Sequence, residues 1–235
     1  EINNVAGAAD AKGKPPRAAN QAVAKEVETM GLSSVPVVAN ELYEAFSRGI
    51  IKCVYLFPSG YVTLGLMDVP AKKYWIHLDL SGWMASVQVF NKDKWDSLPP
   101  LAQRILTDGY VYWLQRDAYT TYMNTRAFGQ YIRKGDVEAV QPDQQMLEAL
   151  HNHQAKVLAE MASTGVPPGI TEPQRMIDDY LALLAKWRKI VGEELGIPDT
   201  PPDAKDVVDA WFTDYDFAPF QRRLSEELHK AMAGN

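Results

Sequence analysis

The chain has 235 residues, 46% of them hydrophobic and 23% charged, an ordinary mixture for one large globular domain or two smaller lobes. Its formal net charge of −6 argues against a nucleic-acid binder that works by neutralising phosphates, although one local arginine can still serve a small anion. Cys53 is the single cysteine, so an internal disulfide is excluded. No apolar run approaches the ~20 residues of a membrane helix, and the opening segment lacks the basic and apolar parts of a signal peptide.

Residues 1–15 are polar, rich in glycine and alanine, and read as a loop. Residues 17–31 read as a strand end feeding a helix, with Asn20 as N-cap and Gly31 as the stop. A short strand follows at 34–39. Asn40 then caps a helix over 41–49, in which Leu42, Ala45 and Phe46 share one face. The apolar run 50–57 is a strand closed by Pro58, Ser59 and Gly60. Strand, helix and strand joined by short connections predict a parallel βαβ unit.

Residues 85–91 alternate and predict another strand, after which Asn91 or Asp93 opens a short helix carrying Trp95. Ser97, Pro99 and Pro100 start a long helix to about Arg133. A turn and short strand occupy 135–140, and Pro142 begins a helix to about Ser163. Thr171 and Gln174 have the spacing of a capping box, opening a helix to about Leu195. A proline-rich break at 196–203 precedes two helices, over 204–212 and 217–232. The first half therefore alternates β and α, and the second half is mainly helical.

Few side chains carry chemistry in a recognisable pattern. Arg17 precedes a helix N-terminus with Asn20 and Gln21 nearby, where a guanidinium can hold a carboxylate bidentately; the plain alternative is a solvated surface arginine. Phe57 and Tyr61 flank Pro58 at one strand end, and Trp83 follows the Ser81–Gly82 turn at the start of another strand. Strand ends are where open α/β sheets build small-molecule sites, though each aromatic taken alone reads as core. Glu148, His151 and His153 invite a metal reading, but His153 points away from the face the other two share. Tyr110, Tyr112, Trp113, Tyr119 and Tyr122 crowd one helix and read as core or lobe interface. Cys53 has no local histidine and reads as a structural thiol. No dinucleotide, phosphate-loop or nucleophile-elbow motif is present, and no cofactor is expected.

The order of these features resembles the solute-binding subunit of tripartite ATP-independent periplasmic (TRAP) transporters. The resemblance rests on D-x-K-G-x-x-x-R at Asp10 to Arg17, G-x-x-x-x-P-V at Gly31 to Val37, and E-L-Y-x-A-F-x-x-G at Glu41 to Gly49. Lys73–Tyr74 follows, then Asn91 with Trp95, Leu98 and Pro99, and the segment 135–142. It extends over about residues 10–195. Lys52–Cys53 departs from the family's usual Asp-Gly, and Leu56–Phe57 replaces a more polar stretch.

What the resemblance implies is an α/β, periplasmic-binding-protein-like two-lobed fold of type II kind, with a long helical C-terminal half and an incomplete N-terminal lobe. Residues 1–90 would form the α/β ligand-binding lobe. Residues 91–235 would form a mainly helical region, with a long connecting helix and one short strand, that returns to the other lobe. Arg17 would clamp the carboxylate of a small organic acid, with Asn20, Phe57, Tyr61 and Trp83 around it and no catalytic or metal-ligating residue. Expected partners are that ligand and the membrane permease subunits, with no nucleic acid, and a homodimer through the C-terminal helices is a further expectation. The location would be periplasmic, the leader having been removed or never included. Two other readings stay open: a small-molecule enzyme in the same pocket, and a helical interaction module.

Overall fold

The computed structural model describes residues 16–18, 20–51, 53–54, 56–69, 73–75, 89–197 and 204–233. Three short strands, β1 (Pro16–Ala18), β2 (Val35–Pro36) and β3 (Cys53–Val54), form a parallel sheet in the order β2-β1-β3. Arg17 is the centre of that sheet, in register with Val35 on one side and Val54 on the other. Parallel pairing with an intervening helix is the expected βαβ arrangement.

Helix α1 (Gln21–Thr29) connects β1 to β2. The Asn20 carboxamide oxygen accepts from the Val23 N–H at 2.9 Å, and Gly31 ends the segment at φ 85°, a conformation glycine adopts without steric penalty. Helix α2 (Leu42–Ser47) lies between β2 and β3. Its start differs from the expectation. Asn40 does not cap it, because residues Ala39–Glu41 form a 3₁₀ turn that runs directly into the helix. Beyond β3 the Pro58–Ser59–Gly60 stretch is no turn; it opens helix α3 (Pro58–Thr63). Extended Phe57 precedes it, and Pro58 occupies a first-turn position where its missing N–H costs nothing.

A second, two-stranded parallel sheet pairs β4 (Lys73–Trp75) with β5 (Glu138–Val140). Between them in sequence come α4 (Lys92–Asp96), capped by Asn91 through the Lys94 N–H, and the 34-residue α5 (Pro100–Arg133). Of the strand expected over 85–91, residues 85–88 lie outside the described residues and 89–91 form no strand. Helix α6 (Gln144–Glu160) is capped by Asp143, which accepts from the Met146 N–H at 2.7 Å.

Helix α7 (Pro173–Lys189) continues into a π turn, Ile190–Glu194. The capping box expected from Thr171 does not form. Glu172 is the N-cap, without a side-chain bond, and the Gln174 amide donates forward to Asp178 at 2.9 Å. Helices α8 (Ala204–Ala210) and α9 (Ala218–Ala233) complete the described chain.

Two apolar clusters hold these elements. In one, Val23, Val27 and Met30 of the α1 region pack with Ala18, Leu32, Met146 and Leu150, joining β1 and α1 to α6. The buried Glu26 accepts from the Gln154 amide at 2.9 Å across the same interface. In the other, Leu42, Phe46, Ile51, Tyr61 and Leu66 pack against Phe128 and Val137, joining α2 and α3 to α5 and β5.

The aromatic residues of α5 divide between two environments. Tyr112 is 64% exposed, whereas Tyr119 and Tyr122 meet Phe217 with ring centroids 5.9 and 5.1 Å away. The chain after α8 returns antiparallel along α5. Arg126 binds Asp214 at 2.5 Å, the Gln115 amide donates to the Gln221 carbonyl at 3.1 Å, and His229 meets Asp108 at 2.7 Å. The C-terminal extension thus packs on the long helix, and part of the aromatic series is its docking surface.

Candidate ligand-binding site

In a parallel sheet every strand delivers its C-terminal end to the same edge, and helix N-termini follow at once. Here that edge carries Ala18 at the end of β1 and Asn20 just beyond it, Val37 after β2, and Leu56 and Phe57 after β3, followed by the first turns of α1 and α3.

Arg17 is half-buried, and its Nε–H donates to the Val37 carbonyl at 3.0 Å. That bond ties the side chain of the central strand to the segment leaving its neighbour. The guanidinium is thereby set on the C-terminal side of β2. Partial burial pushes its pKa down from the ordinary arginine value, because loss of water disfavours the charged form. An anion beside it would offset that penalty. The Val37 anchor was not visible in the sequence, since nothing local marks the carbonyl that a side chain twenty residues away will find.

Asn20 stands at the same edge but is already engaged: its side-chain oxygen caps α1. Phe57 is half-buried and extended, and its carbonyl accepts from the Tyr61 N–H at 3.1 Å, so it sits where β3 hands over to α3. Leu56 beside it is also half-buried, which keeps this side of the edge apolar. Tyr61 is placed differently. One turn into α3 it is 8% exposed, its hydroxyl donates to the Val69 carbonyl at 3.0 Å, and its ring meets Phe128 edge-on at 5.3 Å. Its place in the core makes it a support of α3. Trp83 lies outside the described residues. The structure therefore brings Arg17, Asn20 and Phe57 to one sheet edge and turns Tyr61 into the core.

Among the described residues no group of three or more His, Cys, Asp or Glu side chains could hold a metal ion, and His151 and His153 lie on α6. No helix among those residues is long and apolar enough to cross a membrane.

Residues 2–164 match the family described as bacterial extracellular solute-binding protein, family 7. No curated protein matches the sequence. Among solved structures, a TRAP periplasmic solute-binding protein from Bordetella bronchiseptica with bound (R)- and (S)-mandelate is 16% identical, with TM-score 0.59 over 78% of this chain and 58% of that one. A TRAP solute-binding protein from Rhodoferax ferrireducens T118, in complex with copurified benzoate, is 19% identical, with TM-score 0.57 over 80% and 59%. A third, from Sulfitobacter sp. NAS-14.1 with bound β-D-galacturonate, is 25% identical, with TM-score 0.50 over 65% and 50%.

These likenesses bear out the fold expected from the sequence, a helix-rich α/β chain of the two-lobed periplasmic-binding-protein kind. The present chain spans half to three-fifths of the length of those structures. With the family match covering more than half of the sequence, the chain belongs to the bacterial extracellular solute-binding proteins of family 7.

Proposed function

We propose that this chain serves as an extracytoplasmic receptor that captures a small organic acid by closure of two lobes and passes it to the membrane subunits of a TRAP-type transporter. The observation that carries this reading is Arg17. Its guanidinium is half-buried at the C-terminal edge of the parallel sheet and held there through Nε by Val37. Arginine carries five N–H donors in a planar fork. With the Nε–H given to Val37, the donors on the two terminal nitrogens match the two oxygens of a carboxylate.

Such a charge-assisted pair contributes on the order of 1.5–3 kcal/mol. Micromolar affinity corresponds to roughly 8 kcal/mol, so apolar contact and lobe closure must supply the remainder. Leu56 and Phe57 make the adjoining strand end apolar, which favours an acid with a hydrophobic or aromatic portion. The mandelate and benzoate held by two of the similar structures are acids of that kind. Asn20 has a carboxamide N–H₂ to offer beside its capping oxygen, and Trp83 remains a candidate wall of the pocket.

The reading is non-catalytic: capture and release need a clamp and a closing surface but no acid, base or nucleophile at the sheet edge. Calorimetric titration of the chain with mono- and dicarboxylates tests it, alongside the Arg17→Ala variant. Heat of binding for an apolar monocarboxylate, lost or weakened in the variant, supports the assignment. Turnover of the bound acid would replace it with an enzyme.

A further inference from the structure

The three-stranded sheet has two faces, and its register tells which of them Arg17 takes. Residues in register on neighbouring strands point to the same side, and successive residues to opposite sides. Ala18 and Cys53 pack with the cluster that joins β1 and α1 to α6. Val35 and Val54, the register partners of Arg17, pack instead against the cluster that joins α2 and α3 to α5. The Arg17 side chain therefore leaves the sheet on the face that α3 shares, and its bond to the Val37 carbonyl draws it toward the C-terminal edge.

Helix α3 starts at that edge. A helical Cα–Cβ bond tilts toward the N-terminus of its helix, so a side chain in the first turn leans back toward the strand ends. Pro58 and Gly60 bring no polar side chain there, and Tyr61 is committed to Phe128 and the Val69 carbonyl. The polar group left in this turn is the hydroxyl of Ser59.

Ser59 is only 8% exposed, and among the described residues its hydroxyl makes no hydrogen bond. The oxygen is not sealed off either. Among those residues the enclosed side-chain polar atom without a partner is Arg223 Nε, not the Ser59 oxygen. A hydroxyl this deep ordinarily finds a partner, because leaving it unpaired costs free energy. Thr107, equally buried, follows that rule and donates to the Gln103 carbonyl at 2.8 Å. Ser59 departs from it at the sheet edge and on the sheet face that Arg17 occupies.

We infer that Ser59 is a specificity-determining residue, whose hydroxyl pairs with an oxygen of the acid that Arg17 holds. The inference rests on the carboxylate reading of Arg17 and adds a second polar point of recognition. The guanidinium fork takes both carboxylate oxygens, so the oxygen that meets Ser59 belongs to another group. Strands β1 and β3 are adjacent, about 4.8 Å apart, which puts that group on the carbon next to the carboxylate. The ligand class is then an α-hydroxy or α-keto acid with its apolar part toward Leu56 and Phe57. A serine hydroxyl both donates and accepts, so it serves either oxygen.

The test is titration calorimetry of the native chain, Ser59→Ala and Arg17→Ala with two matched pairs of acids. Phenyllactate is set against phenylpropionate, and lactate against propionate, so that each pair differs only in the α-hydroxyl. The native chain should bind the hydroxy acid of a pair about 3- to 10-fold more tightly than its plain partner. Ser59→Ala should erase that ratio and leave affinity for the plain acid unchanged. Without ligand, Ser59→Ala should melt no lower than the native chain, because the hydroxyl bonds nothing in the protein. A lower melt would make Ser59 structural and overturn the inference. Equal affinities within both pairs, or a preference that Ser59→Ala retains, overturn it as well; binding lost in Arg17→Ala would then leave the carboxylate reading standing. Binding of none of the four acids overturns the carboxylate reading and this inference with it.

Discussion

Phe212 lies so close to Gly129 that a Cβ built on residue 129 would stand 2.9 Å from the ring. The ring is held from another side by the Arg133 guanidinium, 3.4 Å from its centroid, and Trp211 also approaches within 3.3 Å of the built Cβ. This contact is where the C-terminal extension locks onto the long helix. Gly129→Ala should therefore destabilise the protein by about 1–3 kcal/mol through overpacking, against the gain of about 1 kcal/mol that alanine brings to a helix interior. Gly109, on the same helix with nothing within 4 Å of its built Cβ, is the control. Gly109→Ala should stabilise by up to about 1 kcal/mol. Chemical denaturation of the two variants separates the effects, and equal stabilisation by both would refute the lock.

Tyr61 makes a second prediction. Its hydroxyl donates to the Val69 carbonyl inside the core, so Tyr61→Phe removes a buried donor and should cost about 1–3 kcal/mol. Because the phenol does not reach the sheet edge, affinity for a carboxylate should stay unchanged. A variant of native stability with weakened ligand binding would return Tyr61 to the site.

His229 supplies a dependence on pH. Its Nε2 faces the Asp108 carboxylate at 2.7 Å and its Nδ1 faces the Ser225 carbonyl at 2.8 Å, so both ring nitrogens meet acceptors and the doubly protonated ring suits both. The Asp108 hydrogen bond, followed by the Ser225 one, raises its pKa above the ordinary value of 6.5, while Arg104 acts in the opposite sense. A raised folded value means the contribution is complete below the unfolded pKa and is lost as pH rises through the folded one. Thermal stability should therefore decline from about pH 6.5 upward by an increment that Asp108→Asn abolishes. The ring is about half exposed, so solvent screening keeps that increment small. Identical pH profiles for the two proteins would contradict the assignment.

The parts of the fold readable from sequence were those set by local chemistry. Asn20, Asn91 and Gly31 mark helix ends because a cap or a left-handed residue acts within one turn. Local reading failed where two local rules compete. Pro58 and Gly60 punctuate a turn as readily as proline opens a helix, and extended Phe57 decided for the helix. Thr171 has the capping spacing, but Pro173 takes the first helical position and leaves Glu172 as the cap. The candidate site was legible only as residue types at strand ends. That Tyr61 turns inward depends on Phe128, far along the chain, and that Arg17 is anchored depends on Val37. Such contacts arise from tertiary packing, which no periodicity records.

The role of Arg17 as a carboxylate clamp is read out by carboxylate affinity in titration calorimetry for the native chain, Arg17→Ala and Arg17→Lys, with the fold of each checked by circular dichroism. Binding of an apolar monocarboxylate is expected, with a loss of about 10- to 150-fold in Arg17→Ala and only partial recovery with lysine, which lacks the planar fork. A native chain that binds an organic acid equally well without the Arg17 guanidinium would contradict that role.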